Sequence, residues 1–150
     1  MGEALRDQGD LAGALNSYRD SLAIREKLAK QDPSNADWQS HLSVSYERIG
    51  DVQRDQGDLA GALQSYRAGL AIAEKLAQQG PTNAGWQSDL ALSYWQVATV
   101  WAKVEPRSKS EAYGMLKKAR TILVTLKARS SLTSLQQAWL NSINQQLNEK

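Results

Sequence analysis

The sequence contains no cysteine, which removes disulfides, thiolate metal sites and a cysteine nucleophile together. His41 is its single histidine, so an imidazole metal cluster or a Ser-His pair would have to be built around one residue, and neither is expected. No stretch approaches the ~20 apolar residues of a membrane span, and the N-terminus lacks a charged segment followed by an apolar run. A charge excess of one sign is missing too. Against 16 Asp and Glu stand 18 Lys and Arg, leaving +2, so composition demands no polyanionic partner. Catalytic signatures are equally scarce: there is no G-x-G-x-x-G, no phosphate-loop Gly-Lys-Ser/Thr, no H-E-x-x-H and no G-x-S-x-G. The expectation is a soluble, unprocessed chain that is no enzyme and needs no metal or cofactor. Lack of cysteine suits a cytoplasmic location, although a periplasmic or secreted one is compatible with it.

What the chain does contain is ordinary globular composition, 41% hydrophobic and 23% charged over 150 residues, and an internal repeat. Residues 9–56 and 57–104 align without a gap, and 28 of the 48 positions are identical. GDLAGALNSYRDSLAI corresponds to GDLAGALQSYRAGLAI, and PSNADWQSHLSVSY to PTNAGWQSDLALSY. A third, degraded copy follows, with AYGMLKKARTILVTL opposite ALQSYRAGLAIAEKL after two extra residues in the preceding turn.

Each copy carries two amphipathic patterns. Trp86, Leu90, Tyr94, Val97 and Trp101 form one helical stripe, and Leu59, Leu63, Tyr66, Leu70, Ala73 and Leu76 form another. Gly57 stands where a helix needs a left-handed stop, Asp58 can cap the next N-terminus, and Gly80-Pro81 ends the second helix, with Thr82 or Asn83 capping the one after. Helices are predicted at about 10–30, 35–55, 58–78, 83–102, 109–128 and 134–147. Short connections make neighbours pack antiparallel. The fold class is therefore all-α, a stack of helical hairpins.

In order along the chain, Tyr46, Ile49, Gly50, Gly57, Ala62, Tyr66, Gly69 and Leu70 resemble the signature of the tetratricopeptide repeat family. The preceding copy shows it as Gly2, Gly9, Ala14, Tyr18 and Ser21, and the third as Tyr94, Val97, Ala98, Ala112 and Leu116. The period of 48 exceeds the family's 34, and the surplus of 14 divides into two pairs of helical turns that preserve the inward face. The resemblance is to a long-helix variant found in bacterial tandem-repeat proteins. It implies a right-handed α-solenoid of about two and a half repeats, with units at 1–34, 35–82 and 83–130 and a capping helix in 131–150. Thr133 and Gln136 form a capping-box pattern at the start of that helix, which ends on Asn148-Glu149-Lys150. Because Met1–Gln8 aligns with Ile49–Gln56, the first unit is expected to begin in mid-helix, as in a fragment of a longer array.

The resemblance also implies that first helices line a concave, partner-binding face. By position that face would hold Glu3, Arg6 and Asp7; then Ser40, Val44, Glu47, Asp51, Arg54 and Asp55; then Ser88, Leu92, Trp95, Thr99, Ala102 and Lys103. Relatives that clamp a terminal carboxylate use Lys and Asn there, so that activity is not expected. Trp38, Trp86, Trp101 and Trp139 read as core. Trp95 lies one residue off the Tyr94 stripe, and its repeat counterpart is the charged Glu47; it is either an exposed anchor or a ring sheltered by the turn at 103–110. Partner-binding residues are accordingly expected at Glu47, Asp51, Arg54, Trp95, Thr99 and Lys103. Asp51 and Asp55 beside Arg54, and His41 opposite Asp89, read otherwise as surface polar groups.

Charge divides along the chain. Residues 1–58 hold 7 basic and 11 acidic groups, net −4, and 59–150 hold 11 and 5, net +6. The basic segment 103–129 lacks aromatic interleaving or a nucleic-acid motif, so neither nucleic acid nor membrane is expected as partner. The function expected is a scaffold that binds a protein or peptide partner. Alternatives are head-to-tail or dimeric self-association through the open N-terminal end, giving a homo-oligomer, and a regulatory or sensor region of a larger multidomain protein.

Overall fold

The computed structural model describes residues 1–130 and 132–149, and among these there are seven α-helices and no strand. They are α1 (Gly2–Asp7), α2 (Leu11–Gln31), α3 (Ala36–Asp55), α4 (Leu59–Gln79), α5 (Ala84–Val104), α6 (Lys109–Arg129) and α7 (Ser134–Asn148), with a 3-10 turn at Pro106–Ser108. Every expected boundary lies within two residues of the observed one. At four helix starts the offset has one cause: Asp10, Asn35, Asp58 and Asn83 precede the helix as caps and are not its first turn. Ser131 and Lys150, at either end of the expected closing segment, lie outside the described residues.

Local chemistry explains the turns. α1 and α3 each end on a glycine in the left-handed region, Gly9 at φ 83° and Gly57 at φ 84°. The amides of Gly9 and Asp10 reach back to the carbonyls of Arg6 and Leu5 at 2.9 and 2.8 Å, and those of Gly57 and Asp58 to Arg54 and Gln53 at the same distances. This is the six-to-one plus five-to-two bonding of a Schellman stop, which satisfies orphan carbonyls only when the chain turns left-handed. The next residue starts the following helix. Asp10 Oδ1 accepts from the Gly13 amide at 2.8 Å, and Asp58 Oδ1 from the Gly61 amide at 2.9 Å. The other connections are capped by asparagine: Asn35 accepts from the Trp38 amide at 3.1 Å and Asn83 from the Trp86 amide at 3.0 Å.

Two compact units result, Met1–Leu76 and Ala77–Lys150. In the first, α1 packs on α2 and α2 on α3, and Ser43 Oγ of α3 donates to the Gly69 carbonyl of α4 at 3.0 Å. A single steric device recurs. A Cβ on Gly50 would lie 2.6 Å from the Tyr66 ring, and one on Gly2 2.5 Å from the Tyr18 ring. Each aromatic ring thus rests on the bare backbone of the helix before it, which brings the two helices of the hairpin close together. Ala14, Ile49, Val52, Ala62, Leu63 and Tyr66 are buried in this unit.

The second unit is built on α5, α6 and α7: α5 packs along α6, α6 on α7, and α5 also touches α7. Leu90, Tyr94, Val97 and Ala98 of α5, Ala112, Leu116, Ala119, Leu123 and Leu126 of α6, and Leu140 and Ile143 of α7 form its core. The α6 residues step by 4, 3, 4 and 3, the spacing that holds one face inward. Burying each Leu or Ile contributes about 1.5–3 kcal/mol. Both halves of the expected capping box are present on α7, with Gln136 Nε2 also donating to Ser88 Oγ on α5 at 2.9 Å. The tryptophans differ from expectation. Trp38, Trp86, Trp101 and Trp139 are half-buried and not enclosed; Trp86 covers Gly80 at the helix entry, and Trp101 Nε1 donates to the exposed Glu105 at 3.0 Å.

Gly50→Ala is expected to destabilise the protein by about 1–3 kcal/mol through overpacking against Tyr66. Combining it with Tyr66→Leu is expected to recover part of that loss, since the third copy carries the matching pair Ala98 and Leu116. Urea denaturation of the double-mutant cycle checks this, and strictly additive effects would show that the ring and the glycine are not coupled.

Candidate functional site

In the first unit the expected site residues are held in a network that spacing alone did not disclose. Arg6 of α1 donates from Nε to Asp55 at 2.8 Å, ion-pairs with Asp55 again at 2.8 Å and stands 3.6 Å from Asp51. Arg54 reaches Asp51 at 3.6 Å and Asp55 at 3.3 Å, and Tyr66 donates its hydroxyl to Asp51 at 2.6 Å. Asp51 therefore accepts from one helix and pairs with two arginines. It is no isolated surface charge. Burial disfavours the charged Arg6, but the hydrogen bond to Asp55 and the charges of Asp51 and Asp55 outweigh it and raise its pKa. Burial, followed by the Asp51 charge, pushes Tyr66 far above the ordinary tyrosine range.

Neighbouring polar groups are also engaged. Tyr46 donates to Glu26 at 2.8 Å, and burial together with this acceptor pushes Tyr46 up to about 12. Arg48 pairs with the Glu3 carboxylate at 2.8 Å. Glu47 is half-buried and His41 is exposed. A cavity of about 370 Å³ lies beside α1, walled by Tyr18, Arg25 and Arg48. The Tyr18 hydroxyl is buried there without a hydrogen-bond partner.

The second unit places Trp95, Thr99 and Lys103 one turn apart along α5. Trp95 is half-buried, and its indole nitrogen is buried without a hydrogen-bond partner, so the ring is no fully projecting anchor. Thr99 Oγ1 donates to the Trp95 carbonyl at 2.8 Å. Thr99 and exposed Lys103 line a cavity of about 830 Å³ whose other walls come from α6 and α7. Ala98 and Ala102 of α5 and Ala112 and Leu116 of α6 make it apolar; Lys109, Tyr113, Gln146 and Glu149 add polar groups. The Tyr113 hydroxyl donates to the backbone carbonyls of Gln146, at 3.2 Å, and Glu149. Thr99 and Lys103, singled out by their spacing, stand on this wall, whereas the contributions of α6 and α7 were not expected. The available signal was the third copy itself, where Leu116 stands in place of Tyr66. Lys118 lies 5.4 Å from the Tyr94 ring centroid, so one charge of the basic segment is stacked on an aromatic face.

A family profile described as a tetratricopeptide repeat matches residues 1–34. The match covers the N-terminal 34 of the 150 residues and supports a tetratricopeptide-type repeat there. No curated protein and no solved structure matches the chain significantly. The family in general mediates protein–protein interactions, and its repeats are typically non-enzymatic scaffolds. No helix among the described residues is long and apolar enough to cross a membrane.

Two measurements test the electrostatics. Arg6→Ala is expected to cost about 1 kcal/mol in low salt, the upper range for partly exposed ion pairs, and visibly less in 1 M NaCl, where screening shortens to ~3 Å; urea denaturation at the two salt concentrations checks it. For Tyr46 the folded state holds the phenolic proton more tightly than the unfolded chain. Its contribution is fully present below the ordinary tyrosine pKa of 10.0 and is lost as pH rises through about 12. Tyr46→Phe is therefore expected to flatten the fall of unfolding free energy between those pH values, and an unchanged slope would remove this assignment.

Proposed function

We propose that the chain is a protein-interaction scaffold of the long-helix tetratricopeptide type, built on the 48-residue period as a right-handed solenoid of about two and a half repeats. The observation that carries this reading is the tetratricopeptide match at residues 1–34, whose hairpin geometry the Gly50–Tyr66 pair then reproduces one period later. A repeat of this kind buries one side of each helix and leaves the other free, so its chemistry is recognition. A protein or peptide partner binds on the inner face formed by the first helices. Glu47, Asp51 and Arg54 set selectivity on α3, and Trp95, Thr99 and Lys103 provide an apolar and basic contact on α5. Since Asp51 is held by Arg6 and Tyr66, and Arg54 pairs with Asp51 and Asp55, they present a preorganised mixed-charge surface and not loose side chains.

The test is capture of partners by the immobilised chain from its source cells, with Trp95→Ala, Thr99→Arg and Lys103→Glu in parallel. A protein retained by wild type and reduced at least tenfold by each folded variant supports the reading; retention unaffected by all three removes these residues from the contact. One observation favours a second reading, self-association through the ends: the net −4 of residues 1–58 against +6 for 59–150. Sedimentation at increasing concentration in low salt decides it, with a monomer throughout overturning it. The same scaffold would serve as a regulatory segment of a larger protein.

A further inference from the structure

We propose that the cavity between α5, α6 and α7 is a binding site for a small amphipathic organic anion, a medium-length hydrocarbon chain ending in a carboxylate. This inference does not rest on the partner-binding reading. It comes from comparing the same positions in successive copies. In the first unit Asp51, Arg54, Asp55 and Tyr66 fill the space between helices with a connected set of hydrogen bonds and ion pairs. In the third copy the corresponding residues are Thr99, Ala102, Lys103 and Leu116. All four of those replacements line the cavity of about 830 Å³. Two charges have been removed, one has been inverted, and an aromatic ring with its hydroxyl has been exchanged for an aliphatic side chain.

The chemistry of the replacements selects the ligand. Ala98, Ala102, Ala112 and Leu116 offer an apolar wall with no hydrogen-bonding side chain, which favours hydrocarbon. Lys103 and Lys109 stand exposed at the opening, and no ion pair engages either among the described residues. Glu149 opposes them with one carboxylate, leaving a net positive rim. The hydroxyl of Thr99 and the side-chain amide of Gln146 lie along the wall between. The volume falls in the range of ~300–1,000 Å³ usual for small-molecule sites, which are mostly apolar with a few placed polar groups. An apolar tail ending in an anion matches both the wall and the rim, whereas a cation would meet Lys103 and Lys109 and a fully polar ligand would leave the alanine wall unused.

The experiment uses octanoate as probe, titrated into the full chain by calorimetry, with octan-1-ol and octylamine as controls. Saturable binding of octanoate is expected, at least tenfold tighter than either control. Leu116→Tyr, which restores the bulk of the second copy, is expected to weaken octanoate at least tenfold, and Lys103→Asp, which restores its charge, to weaken octanoate but not octan-1-ol. Circular dichroism confirms that each variant is helical. Should Leu116→Tyr fail to fold, intermolecular nuclear Overhauser contacts between octanoate methylenes and the Leu116 methyls of the wild type decide the matter, their presence supporting the site and their absence overturning it. No saturable binding below about 10 mM, equal affinity for octan-1-ol, or a folded Leu116→Tyr that binds as well as wild type would each overturn the proposal.

Discussion

The helix pairs of the first unit depend on the contact between a glycine on one helix and a tyrosine ring on the next. Any larger residue at Gly50 would place its Cβ 2.6 Å from Tyr66, closer than side chains tolerate, so the glycine sets how near the two helices come. Dispersion over an aromatic ring is worth having only at such separations. The ring also decides where its hydroxyl lands. Tyr66, 1% exposed, brings that hydroxyl to Asp51, the residue after Gly50, and packing thereby becomes electrostatics: Asp51 is held in place, and Arg6 and Arg54 gather around it and Asp55. Preceding copies need not complete the same circuit. Tyr18 sits over Gly2 in the same way, but the carboxylate at the matching place, Glu3, is taken by Arg48, and the Tyr18 hydroxyl is left buried without an acceptor. A buried hydroxyl without a partner is costly, by about 1–3 kcal/mol, which marks this hairpin as the less complete of the two.

The third copy shows what happens when the pair is relaxed. With Ala98 for glycine and Leu116 for tyrosine, the steric lock is exchanged for an aliphatic contact and nothing carries a hydroxyl across to α5. The acidic positions are then free to change, and they have: Thr99 replaces Asp51 and Lys103 replaces Asp55. A polar, filled junction in one unit becomes an apolar cavity with a basic rim in the other. Closing that end falls to α7, whose start is fixed by its capping box and which the hydrogen bond from Gln136 to Ser88 ties to α5.

Much of this was legible from spacing. The glycine stops, the aspartate and asparagine caps and the stripes of α4, α5 and α6 depend on residues within a turn or two of one another, so period and composition suffice to place them. Thr99 and Lys103 were legible as a pair for the same reason, being one turn apart on one helix. Trp95 illustrates the limit. Its position off the stripe pointed to an exceptional environment, yet spacing does not state whether the ring is covered, and in the structure its indole nitrogen is buried. The partially buried tryptophans make the same point, since a stripe position states which way a side chain points and not how much of it the neighbour encloses.

Helix bounds, turn chemistry and the repeated Gly–Tyr pair were written in short-range patterns, because hydrogen bonds of helices and caps close within about five residues. The bridge from Arg6 to Asp55, separated by 49 positions, and the joining of α5, α6 and α7 around one cavity were not. They exist because folding brings distant helices to within side-chain reach, and the strength of an ion pair or the emptiness of a gap depends on that separation and on what surrounds it, on which local patterning is silent.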